Sequence, residues 1–197
     1  LEEIDELLER AGIEYAVIKG AANRLQLYEN PALRACHDID VLVDSADRLK
    51  AATTFASAGF YASPVLETIG HELELSRDLV SVDLHWGLMR EGRLRQDPTS
   101  GMLKRRRESH GTWSLNAEDT LFLLLVHPAF AKHLAGWEMG LHRVVDIGAC
   151  LRMGQFDWQA VLERLRQNGV ATAAWATLRW VQLLTEPQPL PGLHSMM

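Results

Sequence analysis

Asp38 and Asp40 stand one residue apart in His37-Asp-Ile-Asp-Val-Leu-Val43, a run that alternates polar with apolar and then turns wholly apolar. On a strand this spacing sends both carboxylates from one face, with Cα atoms about 6–7 Å apart, and leaves Ile39 and Val41 for the core. A third acid, Asp83, stands in Val80-Ser-Val-Asp-Leu-His-Trp86. There Ser81, Asp83 and His85 share one face and Val82 and Leu84 the other. Placed side by side, the two strands would gather three acids on one patch. Like charges at close approach repel by about 4 kcal/mol at an effective dielectric of 20, and a divalent cation removes that cost. Two Mg²⁺ ions about 3.5–4 Å apart would balance the patch and leave charge for a triphosphate, as in-line phosphoryl and nucleotidyl transfer requires. An Asp-x-Asp pair taken alone also arises on ordinary exposed strand faces.

The elements that must position these acids are legible around them. Leu1 to Ala11 repeats Leu1, Ile4, Leu7 and Leu8 at helical spacing, and Gly12 stops it. Glu14 to Ile18 reads as a strand, followed by a turn at Lys19-Gly20 and a helix from Ala21 to Tyr28. A glycine at such a turn lets backbone approach a phosphate, the N–H groups of the helix start favour an anion, and Lys19 could add a cation. Ser45 is the expected N-cap of a helix ending at Ala58 before Gly59. His71 to Ser76 and Leu79 to Trp86 read as a hairpin turning at Arg77-Asp78. Arg90 to Gly111 reads as a polar connector. From Asn116 onward the pattern is helical, over 117–134, 137–153, 157–168 and 170–184, with Gly136, Gly154 and Gly169 between the segments. Pro187, Pro189 and Pro191 mark a loose tail.

The ordered set Tyr15-Ala-Val-Ile-Lys-Gly20, Arg34, His37-Asp-Ile-Asp-Val-Leu-Val43 and Val82-Asp-Leu-His-Trp86 resembles the uncharacterised nucleotidyltransferase family of the polymerase-β-like superfamily. The resemblance continues into Leu125-Val-His-Pro-Ala-Phe-Ala-Lys-His133, Trp137 and Arg143-Val-Val-Asp146, covering about residues 13 to 153. It implies a small mixed β-sheet with flanking helices; with the helical pattern after Asn116, the expected fold is α+β, a nucleotidyltransferase-like part over residues 1–115 and then a helical bundle over residues 116–197 that closes the cleft. The resemblance implies transfer of a nucleoside monophosphate from an NTP, with Asp38 and Asp40 holding two Mg²⁺ ions. Asp83 would complete the site and assist deprotonation of the attacking hydroxyl. Gly20 and the amides after it would face the triphosphate. The superfamily's turn is usually Gly-Ser or Gly-Gly, whereas here it is Gly20-Ala21, so phosphate binding would rest on backbone amides and Lys19.

Other polar residues extend the expected site. Arg34, four residues before Asp38, is placed to reach a phosphate or pair with an acid. His85 shares the face of Asp83, whereas His37 should face away from Asp38. In the helical half, Lys132 and His133 are expected to face the cleft, and His127, His142, Arg143 and Asp146 could line a wall for phosphates or an acceptor. A phosphohydrolase site built on those histidines would need an adjacent His-Asp pair, and His37-Asp38 is the only one in the chain.

Composition bounds the partners. The 197 residues are 47% hydrophobic and 23% charged, with a mean hydropathy of -0.09, close to the globular average and remote from disordered, collagenous or coiled-coil chains. A formal charge of -6 argues against a surface that tracks a polyanion throughout. The basic run Lys104-Arg-Arg-Arg107 has no interleaved aromatic residues and reads as a solvated loop, so nucleic acid is possible but not favoured. The longest apolar run, Leu121 to Val126, is far short of the roughly 18–20 residues that span a bilayer as a helix. Cys36 and Cys150 lack metal-ligand spacing and read as thiols of a reducing, cytoplasmic compartment. The expected partners are an NTP donor, ATP among them, and an acceptor that is a protein, a small molecule or RNA. The competing reading is a degenerate member of the fold that binds a nucleotide or a partner without catalysis.

Overall fold

The computed structural model describes residues 1–62, 70–130 and 140–185. The chain divides into two compact units, Leu1–Glu91 with Asp97–Asn116 and Gly92–Gln96 with Ala117–Met197.

The first unit is built on a seven-stranded mixed sheet. Helix α1 (Glu2–Arg10) carries Glu2, Glu3 and Asp5 in its first turn and Arg10 in its last, charges that complement the helix dipole. Strand β1 (Tyr15–Ile18) is buried along its whole length, as its unbroken apolar run requires. Helix α2 (Lys19–Gln26) follows with no intervening residue, two residues earlier than the sequence pattern predicts. The turn is made by Lys19, whose φ is +53°. Strand β2 (Ile39–Val43) begins two residues later than expected, leaving His37 and Asp38 in the bend before it.

After β2 the cap is Asp44, not Ser45: its carboxylate accepts from the amide of Ala46 at 3.0 Å. A 3₁₀ turn over Ser45–Asp47 then leads into α3 (Arg48–Ser57). Strands β3 (Tyr61–Ala62), β4 (Glu72–Arg77) and β5 (Val80–His85) follow. The β4–β5 turn is Asp78-Leu79, one residue later than predicted, because Arg77 pairs with Val80. Asp78 takes the left-handed conformation, φ +52°, which aspartate tolerates better than most residues.

The expected connector over 90–111 is partly ordered structure. It contains α4 (Thr99–Arg105), β6 (Arg107–Ser109) and β7 (Thr112–Ser114). His110 and Gly111, both at positive φ, close the β6–β7 hairpin. The basic run therefore spans the end of α4 and the start of β6. Arg106 lies over the Trp113 ring at 4.7 Å and reaches Glu14 at 3.3 Å.

The sheet order is β3-β4-β5-β2-β1-β7-β6. Strand β1 is antiparallel to β2 and parallel to β7, while β2 is parallel to β5. Val41, Val43, Val82 and Leu84 join Leu8, Tyr15, Ala51 and Phe55 in the main core. The alternate residues of β2 and β5, Asp40, Asp83 and His85, lie outside that cluster, as strand alternation demands. The fold class is α+β, as expected.

In the helical unit, α5 (Ala117–Phe130), α6 (Leu141–Met153), α7 (Trp158–Gln167) and α8 (Ala171–Leu184) recur near the expected positions. Helix α5 packs against the other three and buries residues 119–126. The fully buried carboxylate of Asp119 is held by Arg164 at 2.7 Å. Among the described residues no helix is long and apolar enough to cross a membrane.

Candidate active site

Strand register decides which side chains meet. Ile18 pairs with Asp40, Asp40 with Asp83, Asp83 with Glu74, and His85 with Glu72. Paired residues in neighbouring strands point to the same side, so β2, β5 and β4 gather Asp40, Asp83, His85, Glu72 and Glu74 on one side of the sheet, with the buried Ile18 of β1 beside Asp40. Asp40 and Asp83 lie level with each other on adjacent parallel strands.

Asp40 is 4% exposed and His85 1%. Lys19 Nζ donates to Asp40 Oδ1 at 2.7 Å, and His85 Nε2 lies 2.8 Å from the same oxygen. Lys19 Nζ and His85 Nε2 are 3.1 Å apart. Burial alone would push the Asp40 carboxyl up, but the His85 hydrogen bond and the Lys19 charge outweigh it and hold it down at about 2. Asp83 goes the other way. Burial first, then the charge of Asp40, push it up to about 6. Two neighbouring carboxylates whose pKa values are driven apart form a functional-site candidate with a physical cause. Among the described residues, ligand atoms of Asp40, Asp83 and His85 lie within 4.8 Å of one another.

Asp38 is not in that group. From the bend before β2 it still raises Asp83 by its charge, and its carbonyl accepts from Cys36 Sγ at 2.8 Å. It also lines a cavity of about 340 Å³ with Ala21, Arg24, Cys36, His37 and Ser81. Gly20 is already helical, so what the glycine gives there is close approach and not an unusual backbone conformation. A Cβ at Gly20 would meet Cys36 Sγ at 3.1 Å and approach the Arg34 guanidinium at 3.9 Å, so Arg34 does come to the α2 N-terminus. Ala21 is buried at 3% exposure. Lys132 and His133 lie outside the described residues, as does Trp137. Within the helical unit Arg143 donates to His127 Nδ1 at 3.1 Å, and Asp146 is buried.

Sequence reasoning missed Glu72 and His71. His85 Nδ1 lies 3.2 Å from Glu72 Oε2, and His71 Nε2 lies 3.6 Å from the same oxygen. The signal was the hairpin register: once Arg77 pairs with Val80, Glu72 must face His85. The turn misplaced by one residue hides that pairing.

Several solved structures share this architecture. The solution structure of the antibiotic-resistance factor ANT(2'')-Ia matches with a TM-score of 0.57 at 10% identity, covering 93% of this chain and 95% of that chain. The crystal structure of ANT(2'')-Ia with adenylyl-2''-tobramycin matches with a TM-score of 0.55 at 9% identity, covering 90% of this chain and 94% of that one. An antigenic nucleotidyltransferase-like protein from Paracoccidioides brasiliensis matches at 0.56 and 17% identity, covering 99% and 88% respectively. At these identities the likeness is one of fold. No curated protein matches the chain with significance. The model of a protein family described as uncharacterised nucleotidyltransferase matches residues 1–186, so the chain belongs to that family.

Proposed function

We propose that the chain transfers a nucleoside monophosphate from an NTP to an acceptor hydroxyl or phosphate, in a Mg²⁺-dependent reaction at the Asp40–Asp83 face. The observation that carries this reading is the level pairing of two carboxylates on β2 and β5 at the sheet end where α2 begins. Asp38, Asp40 and Asp83 offer hard oxygen donors of the kind Mg²⁺ selects; the upward shift of Asp83 comes first from burial and then from the Asp40 charge, and that second contribution is repulsion a bound cation would relieve. The residues therefore fit the ion. Mg²⁺ supplies charge neutralisation of the phosphates and of the leaving pyrophosphate. The three carboxylates with the Lys19 ammonium carry a formal charge of about -2, which one Mg²⁺ would balance, and the same carboxylates would hold a second ion together with the triphosphate.

The chain's own groups have separate tasks in this proposal. Amides at the start of α2, with Lys19 and Arg34, hold the phosphates. Asp83 accepts the proton of the attacking hydroxyl, and His85 fixes the Asp40 carboxylate. Lys132 and His133 remain proposed phosphate or acceptor contacts, and the division near residue 115 into a nucleotide-handling part and a helical part belongs to the same proposal. The adenylylated tobramycin held by ANT(2'')-Ia makes small polyhydroxylated acceptors the first class to try. A cytoplasmic setting, where NTP and Mg²⁺ are abundant, is part of the reading.

A second reading, nucleotide binding without transfer, is favoured by one observation: Lys19 sits directly on Asp40, where a catalytic metal would bind. The test is incubation with each α-phosphate-labelled NTP, Mg²⁺ and a panel of protein, RNA and small hydroxylated acceptors. Transfer predicts label on an acceptor with one pyrophosphate released per label. Nucleotide binding with neither product would establish the second reading instead.

A further inference from the structure

Glu72 Oε2 is faced by two imidazoles. His85 Nδ1 is 3.2 Å away and His71 Nε2 3.6 Å, and one ligand atom from each of the three residues lies within 4.8 Å of the other two. His85 Nε2 sits 2.8 Å from Asp40 Oδ1, which can only accept. A neutral ring that donates there presents a bare lone pair at Nδ1 to Glu72 Oε2, which also only accepts. In that tautomer two acceptors face each other, an arrangement a bridging cation relieves; in the other, Nε2 accepts from Lys19 Nζ 3.1 Å away and Nδ1–H donates to Glu72, so the cation reading is carried by the convergence of three ligand atoms on one point. At 3.6 Å the His71–Glu72 approach is too long for a hydrogen bond, and His71 Nδ1 is buried with no partner among the described residues.

We propose that His71, Glu72 and His85 bind one borderline transition-metal ion of the Zn²⁺ type, at a site separate from the Mg²⁺ of the transfer reaction. Two imidazoles and one carboxylate suit Zn²⁺ and its neighbours, whereas Mg²⁺ selects oxygen. Zinc–nitrogen and zinc–oxygen bonds of about 2.0–2.2 Å place tetrahedral ligands about 3.3–3.5 Å apart, and the two observed separations bracket that edge. Three protein ligands leave the fourth position open. The His85–Asp40 contact supplies the carboxylate that commonly orients a metal-bound imidazole through its other nitrogen. The ion would hold β4 and β5 together beside the transfer site and fix the ring that fixes Asp40. This inference rests on side-chain geometry and does not need the transfer reading.

Cobalt serves as the probe. Co²⁺ titrated into the metal-stripped full chain should give the visible absorption of a four-coordinate ion, saturating at one ion per chain, displaced by Zn²⁺ and unaffected by excess Mg²⁺. His71→Asn and Glu72→Gln should each weaken Co²⁺ binding by more than the roughly 10–100-fold that follows loss of an outer-sphere partner. Asp83→Asn should keep the band. Circular dichroism and melting in metal-free buffer show that each variant folds, and either ligand variant suffices if the other does not. The proposal is overturned by absence of the band, by a band that survives both ligand variants, or by a band lost only with Asp83. Absence of the band with both His85 nitrogens protonated by ¹⁵N NMR would assign the gap to a proton. Nucleotide binding, measured separately with Mg²⁺, can fail without touching these outcomes.

Discussion

Two aspartates are buried in the same sheet unit, Asp5 at 7% exposure and Asp40 at 4%, and their surroundings differ in kind. Asp5 Oδ1 accepts from the Tyr15 hydroxyl at 2.6 Å and from the Thr112 hydroxyl at 2.7 Å. These are neutral donors from β1 and β7, and they tie α1 to both strands. Burial and the Asp5 hydrogen bond push the Tyr15 phenol well above its ordinary range, so the Tyr15 hydroxyl keeps its proton near neutrality. Asp40, near the other end of β1, is held by an ammonium on a flexible stem and by an imidazole, with a second carboxylate level with it. In one arrangement two hydroxyls converge on a single carboxylate oxygen, Asp5 Oδ1, while Oδ2 is buried with no partner among the described residues. The other leaves negative charge that a mobile cation can take over.

The largest effect that would separate the two is on transfer. Asp40→Asn removes about 4 kcal/mol or more of charge stabilisation at the reacting phosphates, which is on the order of a 10³-fold loss of rate, read from labelled product in single-turnover assays. If Asp5→Ala lost transfer to the same degree in its folded fraction, the contrast would collapse.

Next comes stability. Asp5→Ala leaves two buried hydroxyls without an acceptor and should cost about 2–3 kcal/mol in denaturant unfolding, a fall in Tm of roughly 4–12 °C for a chain of this size. Nucleotide affinity of the folded protein should not change.

The pH dependence sharpens the comparison further. The folded-state pKa of Asp83 is raised from 3.8 to about 6. The folded state therefore holds the proton more tightly, and stability falls as pH rises from about 4 to about 6. Asp40, lowered from 3.8 to about 2, contributes stability above pH 3.8 that is lost as pH falls through about 2. Asp83→Asn should therefore make the metal-free protein more stable than wild type at pH 7.5, with the difference vanishing below about pH 4. Melting curves across this range check it, and a variant less stable than wild type at pH 7.5 contradicts it. The smallest effect is in the basic run. Arg106→Ala should cost about 1 kcal/mol through lost stacking on Trp113, while Lys104→Ala, exposed on α4, should stay within about 0.5 kcal/mol.

Much of this was legible from residue order. Apolar runs gave β1 and β2, alternation gave β5, and the helical periods of the second half reappear close to their expected bounds. The acids Asp40 and Asp83 were visible because each stands between apolar residues of its strand, Asp40 between Ile39 and Val41 and Asp83 between Val82 and Leu84. What stayed hidden depended on single-residue register or on very short elements. Strands β6 and β7 are three residues each, too short to show a period, and their turn is His110-Gly111, outside the favoured Asn-Gly and Asp-Gly pairs. Glu72 and His71 could be placed against His85 only with the correct hairpin turn. Asp38 leaves the group because the strand starts at Ile39, a boundary that no propensity marks.

The central claim is that the Asp40–Asp83 face binds a metal–nucleotide complex. The most direct measurement is calorimetric titration of ATP, GTP, CTP and UTP, with and without Mg²⁺, into the wild-type chain and the Asp38→Asn/Asp40→Asn double variant. The account predicts saturable, Mg²⁺-dependent binding of at least one NTP by the wild type and its loss in the double variant, with a stabilisation of about 2.7 kcal/mol at a hundredfold excess over Kd. Absence of binding for all four nucleotides, or binding that is indifferent to Mg²⁺ and to the two substitutions, would contradict it.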